Sequence, residues 1–231
     1  MRSVVIAKGE HYHIYNRGNG KRDIFRSDDD RTRFLIALLL YQFPGSVSQM
    51  SRTTRRYVKH LVLDTSEVDL RGRYADLVCF TLMPNHFHAI MYEREEGGIA
   101  RYMQRLLNGY TKYVNTKWEQ SGHLFQGTYH AVHIEDDDRL CYLSAYIHRN
   151  PRELARWRNR EHEYPWSSYQ DYLGNNRWGQ FLKPDIILDQ IGRGARYQRF
   201  VERSGAKDRI MDPVLRIDAP MERAHADVPN T

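Results

Sequence analysis

The sequence has little cysteine, no long apolar run and no internal repeat, and each lack closes off a class of protein. Two cysteines occur among 231 residues, Cys79 and Cys141. Each sits in an apolar stretch and no CxxC spacing exists, so buried, reduced thiols are expected rather than a disulfide framework or a cysteine metal site. The longest apolar stretch, residues 34–43, is too short to span a bilayer. The apolar patch at residues 4–7 is too short for the core of a signal peptide. The expectation is a cytoplasmic protein with no membrane attachment. Negative charge is also in deficit: 29 Asp and Glu face 35 Lys and Arg, a formal net charge of +6. A basic balance points to a polyanionic partner, nucleic acid above all, with a merely soluble basic protein as the plain alternative.

What is present suffices for a real core, since 41% of residues are hydrophobic. The length fits one sizeable domain with appendages. Residues 11–17 (HYHIYNR) read as a strand ending at Gly18. Phe34, Leu38 and Tyr41 predict a helix over 28–43, opened by the Asp run at 28–30 and stopped by Pro44-Gly45. A basic helix near 53–63, carrying Arg55, Arg56, Lys59 and His60, is expected inside an insert at about 44–73. Residues 75–83 and 87–93 read as a hairpin turning at Pro84-Asn85. A helix over 97–119 has a core side (Ile99, Met103, Leu106, Tyr110, Val114) and a basic side (Arg101, Arg105, Asn108, Lys112). A strand over 124–134 and a helix over 136–150 follow. The order β-α-insert-β-β-α-β-α is the ferredoxin-like, split βαβ pattern. It predicts an α+β fold, an antiparallel sheet with helices on one face and the other face open to a site. The domain is placed at 1–175, and a C-terminal extension at 176–231 ends in a tail, from 207, expected to be partly mobile.

Three groups of residues can carry chemistry. In His86-Phe87-His88, strand alternation turns both imidazoles to one face and Phe87 to the other, a pair able to share a divalent ion. Such pairs are common: His11-Tyr12-His13 has the same spacing, and the two pairs on adjacent strands would make a four-histidine zinc site. Tyr146 and Asn150 stand four residues apart, on one helix face with Tyr142, while Leu140, Leu143 and Ile147 form a separate stripe. Asn150 is also a credible helix cap, because Pro151 and Glu153 follow it. Arg149, Arg152, Arg156, Arg158 and Arg160 are interleaved with Trp157, Trp166 and Tyr169, the mixture of cations and rings that single-stranded nucleic acid needs.

Taken in order, NRG (16–18), MPNHFH (83–88), GHLFQG (122–127), YIHRNP (146–151) and PWSSY (165–169) resemble the REP-associated tyrosine transposases. These are single-tyrosine members of the HUH superfamily, and the resemblance covers roughly residues 10–175. It implies that His86, His88 and Asn150 hold a divalent Mg²⁺ or Mn²⁺, and that Tyr146 is the catalytic tyrosine. It implies a single-stranded DNA endonuclease and strand transferase acting on hairpin or palindromic repeat DNA through a covalent 5′-phosphotyrosine. Action as a monomer is implied, with a dimer as the alternative. Arg17, Arg101, Arg105, Lys112, Arg149, Arg152 and Arg156 are the expected DNA contacts. One departure stands out: Thr128-Tyr129-His130 follows GHLFQG where relatives often carry Arg-Tyr-Lys, so two cationic contacts are missing or supplied elsewhere. Two rival readings are a catalytically idle nucleic-acid-binding protein on the same fold and a histidine-ligated zinc hydrolase.

Overall fold

The protein was analysed as a computed structural model that describes residues 5–45, 50–60 and 72–206. Its strands are β1 (His11–Arg17), β2 (Ala75–Met83), β3 (His86–Glu93) and β4 (His130–Ile134). They form one sheet in the order β2-β3-β1-β4, and every neighbouring pair is antiparallel. This is the split βαβ arrangement that the order of elements predicts. The turn between β2 and β3 is held from outside. The Pro84 carbonyl accepts from Ile24 N and Phe25 N, and the Asn85 carbonyl accepts from Gly18 N. Gly18 has no substitute here, because a Cβ would stand 2.0 Å from the Arg22 carbonyl oxygen.

Helices α1 (Asp28–Leu40) and α3 (Gly98–Lys117) cover one face of the sheet. The side chains beneath them include Ile14, Leu77, Phe87, Ala89 and Met91. Helix α1 starts in a capping box between Ser27 and Asp30. Asp30 is fully buried, and its carboxylate accepts from Lys117 Nζ at 2.7 Å and Tyr113 Oη at 3.1 Å, which ties α1 to α3. Helix α3 is capped by a buried Glu93, which accepts from Gly98 N at 2.9 Å and Ile99 N at 2.6 Å. Helix α2 (Met50–His60) packs on α1. The remainder of the basic helix expected at 53–63 lies outside the described residues.

The second face is not bare. Helix α4 (Asp137–His148) lies across it, and Leu140, Leu143 and Ile147 bury against Val78, Cys79, Ile90 and Ile134. The α+β class stands, but helices occupy both faces, and the open part of the second face is what α4 leaves uncovered. Both cysteines are buried and reduced. The strand expected at 124–134 shrinks to β4. Leu124 and Phe125 are drawn into the α1/α3 core, and beside β1 the Leu124 carbonyl accepts from Asn19 N and the Arg17 carbonyl from Gln126 N. Short helices α5 (Tyr169–Leu173), α6 (Asp185–Ile191) and α7 (Ala195–Arg203) close the second core. Trp178, Phe181 and Leu182 join the first core. Residues 176–206 therefore pack as part of the body rather than as an appendage. The expected mobile tail from 207 lies outside the described residues. No helix among the described residues is long and apolar enough to cross a membrane.

His148 joins α4 to these helices. It is completely buried, stacks on Tyr169, and bonds Tyr197 Oη and Ser168 Oγ at 2.8 Å each. Burial lowers its pKa to about 3. The unfolded chain protonates this ring below its ordinary value of 6.5, whereas the folded chain does so only near 3. Stability from His148 is therefore complete above pH 6.5 and falls as pH drops through that window. Denaturant melts should show a loss of roughly 3 kcal/mol between pH 6.5 and 4 from this group. His148→Phe should flatten that slope while lowering stability at pH 7.

Candidate active site

The β3 alternation carries the first two site residues. Phe87 is buried in the α1/α3 core, so His86 and His88 face the α4 side. Their ring centroids are 5.2 Å apart and the rings are perpendicular. His86 Nδ1 lies 2.6 Å from Asn85 Oδ1, while Asn85 Nδ2 donates to the Lys21 carbonyl, which fixes the orientation of that amide. An amide oxygen only accepts, so the His86 proton is on Nδ1 and the ring's lone pair is on Nε2. His88 Nδ1 lies 2.8 Å from His13 Nε2. Tyr15 stands opposite His88 in the β1–β3 ladder and stacks on His130, forming one wall of the site. Burial raises the Tyr15 pKa and lowers that of His130.

Helix α4 brings up the other two. Tyr146 is half-buried at the edge of the second core, and its ring meets His88 edge-on at 5.8 Å between centroids. Asn150 follows α4 in a short 3-10 turn, Asn150–Glu153, that packs on β2. It does not cap that turn. Arg149 occupies the N-cap position, with no side-chain cap bond. Asn150 Nδ2 instead donates back to the Tyr146 carbonyl at 2.9 Å and the Ile147 carbonyl at 3.3 Å, finishing the end of α4. Those two bonds fix the amide, and its Oδ1 is buried with no hydrogen-bond partner among the described residues. A buried, unsatisfied carbonyl costs about 1–3 kcal/mol, and a cation is one group that would satisfy it. Thr81 Oγ1, which stands opposite His88 in the β2–β3 ladder, is a second buried oxygen in the same condition.

Two imidazole nitrogens and an amide oxygen are donors that could hold a divalent ion with open positions. The four-histidine zinc site does not form. His13 and His88 turn ring nitrogens toward each other, and His11 lies against Tyr92. Among the described residues, no three His, Cys, Asp or Glu side chains converge to hold a metal.

The expected DNA contacts divide by position. Arg17 pairs with His86 in the β1–β3 register, and Arg149 precedes Asn150, so both border the site. Arg152 approaches Glu161 at 3.6 Å, and Arg156 lies over Trp157. The α3 residues lie across the sheet from the histidines. Arg101 pairs with Glu95. Arg105 donates to the carbonyls of Tyr41, Phe43 and Gly45 and so holds the loop after α1. Lys112 opens onto a groove of about 970 Å³ between α3 and residues 120–129. The sequence pattern gave no role at this site to Asn85 or Thr81, and gave His13 only a ligand's part in the four-histidine alternative. Asn85 directly precedes His86, but the approach of His13 to His88 appears only once β1 and β3 pair.

A family model described as "Transposase IS200 like" matches residues 46–150, a stretch that contains His86, His88, Tyr146 and Asn150. The chain is similar to a solved structure described as "Structure of the REP associates tyrosine transposase bound to a REP hairpin". The two share 13% identity and a TM-score of 0.51, over 80% of this chain and 92% of that one. No curated protein matches the sequence.

Arg105→Ala should behave as a structural change. Denaturant melts should show a loss of about 1–2 kcal/mol, from stranded carbonyls at the end of α1.

Proposed function

We propose that this chain, IS200-like transposase in its 46–150 segment and tyrosine transposase in fold, cuts and rejoins single-stranded DNA through Tyr146. The observation that carries the reading is the end of α4. Tyr146 meets His88 there, and Asn150 spends its amide N–H groups on the Tyr146 and Ile147 carbonyls, leaving its oxygen for a cation. An asparagine serving only as a cap has no reason to bury that oxygen without a partner among the described residues.

His86, His88 and Asn150 would hold Mg²⁺ or Mn²⁺. Three neutral donors leave the ion its full charge, and when bound it polarises the scissile phosphate as a Lewis acid. The phenol oxygen of Tyr146 forms a bond to phosphorus and gives up its proton. The bond from phosphorus to the 3′ oxygen breaks, and that oxygen leaves as a 3′-hydroxyl. The 5′-phosphate stays on Tyr146 as a phosphodiester, so a second 3′-hydroxyl can reverse the step and join strands without ATP.

The solved relative is bound to a REP hairpin, and a hairpin with a single-stranded flank is the substrate class proposed for this chain. Arg17 and Arg149 border the site and are placed to contact the backbone beside the cut, with Arg152 and Arg156 further along. Tyr146 and His88 of the same chain meet, which supports a site completed within a monomer.

The test is a covalent adduct. Incubated with hairpin DNA and Mn²⁺, the wild-type chain should yield a protein–DNA species that survives a denaturing gel, and Tyr146→Phe should yield none. His86→Ala and Asn150→Ala should each lower adduct formation by at least the roughly 10- to 100-fold that loss of a partner behind a metal ligand costs. An adduct persisting in Tyr146→Phe would move the nucleophile elsewhere, Tyr142 first. Hairpin binding without any adduct would leave a catalytically idle binding protein.

A further inference from the structure

His13 repeats the spacing of the histidine pair at 86 and 88 but takes no part in the donor set. It is fully buried, as is His88, and the two rings stack with centroids 5.0 Å apart and planes 17° from parallel. His13 stands opposite Ile90 in the β1–β3 ladder, diagonal to His88, and its Nε2 lies 2.8 Å from His88 Nδ1. Tyr15 packs on both rings, at 4.9 and 5.8 Å between centroids.

A bond between two ring nitrogens needs one donor and one acceptor, which allows two arrangements. If His88 donates from Nδ1, its lone pair is on Nε2 and the ring can ligate a metal there. If His13 donates from Nε2, His88 Nδ1 is the acceptor, its proton is on Nε2, and that nitrogen cannot ligate. His86 has this question settled by Asn85 Oδ1, which only accepts. At His88 the group that faces Nδ1 is another imidazole, that of His13.

We propose that His13 is a positioning residue: it accepts from His88 Nδ1, sets the tautomer of that ring, and thereby makes His88 competent to hold the divalent ion. The inference rests on the metal reading given above. It makes β1 a supporting strand of the metal site, and it separates His13 from His11, which has the same sequence spacing but lies against Tyr92.

The experiment uses the full chain without DNA. Side-chain ¹⁵N correlation spectra of the metal-free protein read the His88 tautomer, and Mn²⁺ alone, followed by electron paramagnetic resonance, reads metal affinity. Wild-type His88 should carry its proton on Nδ1. His13→Phe keeps a ring in the stack but removes the acceptor. It should mix the His88 tautomers and weaken Mn²⁺ binding about 10- to 100-fold, the usual cost of losing a partner behind a metal ligand. His13→Gln, whose Oε1 accepts, should restore affinity to within about 3-fold. His11→Phe should change neither readout. A proton on Nε2 of wild-type His88, or a folded His13→Phe that binds Mn²⁺ like wild type, would overturn the proposal. If His13→Phe does not fold, the wild-type tautomer and the His13→Gln affinity decide it. A wild-type chain that binds no Mn²⁺, or binds it equally after His86→Ala, would overturn the metal reading itself, whatever the tautomer shows.

Discussion

The pairing of β1 with β3 sets Tyr15 opposite His88 and Arg17 opposite His86. Because side chains alternate with a period of two, that register decides at once which residues fill the α1/α3 core and which face α4. Phe87 goes to the core, His86 and His88 to the site, and His13 to a place where it can reach His88. A slip of one residue in either strand would exchange core and site. The apolar weight of Ile14, Phe87, Ala89 and Met91 on one face is what forbids it. The same alternation that builds the core therefore aims the candidate metal ligands, and the site needs no separate scaffold.

The second constraint is the end of α4. Helix ends leave carbonyls without partners, and here Asn150 supplies the donors. Its amide is thereby committed in orientation, with the oxygen pointing away from the helix that its nitrogen closes. His148, two residues earlier, anchors the same helix end to Ser168 and Tyr197 from the opposite side. Tyr146 is thus carried on a helix fixed both by the buried stripe of Leu140, Leu143 and Ile147 and by its terminus. Such rigidity suits the nucleophile's part proposed for Tyr146, since small misplacements cost rate steeply.

Charge tells a more mixed story. The basic residues of α3 looked like one phosphate-binding face, but they lie across the sheet from His86 and His88. Arg105 donates to the loop after α1, and Arg101 pairs with Glu95 at a half-exposed position. A cation on a helix surface can equally satisfy a nearby carbonyl or carboxylate. Which of these it does depends on neighbours brought in by the fold, so a charge pattern alone could not sort them. Arg17 and Arg149 could be placed only after β1 and α4 were seen to border the histidines.

Much was legible in the chain itself. The strand-to-helix order, the hairpin turning at Pro84-Asn85, the faces of α3 and α4, and the shared direction of His86 and His88 all follow from periodicities of 2 and 3.6 residues, which are local properties. The five motifs, read in order, pointed to a family that the match over 46–150 supports. Other features were settled by contacts between residues far apart in sequence. The amide of Asn150 could have capped the following turn; instead its nitrogen went to the α4 carbonyls, and its oxygen is buried without a partner among the described residues. Leu124 and Phe125 left the expected strand because the α1/α3 core had room for them. His13 was indistinguishable from His11 until β1 lay beside β3. Local spacing determines which way a side chain faces, but only the packed structure determines what it meets there, because its partners arrive from other strands and helices.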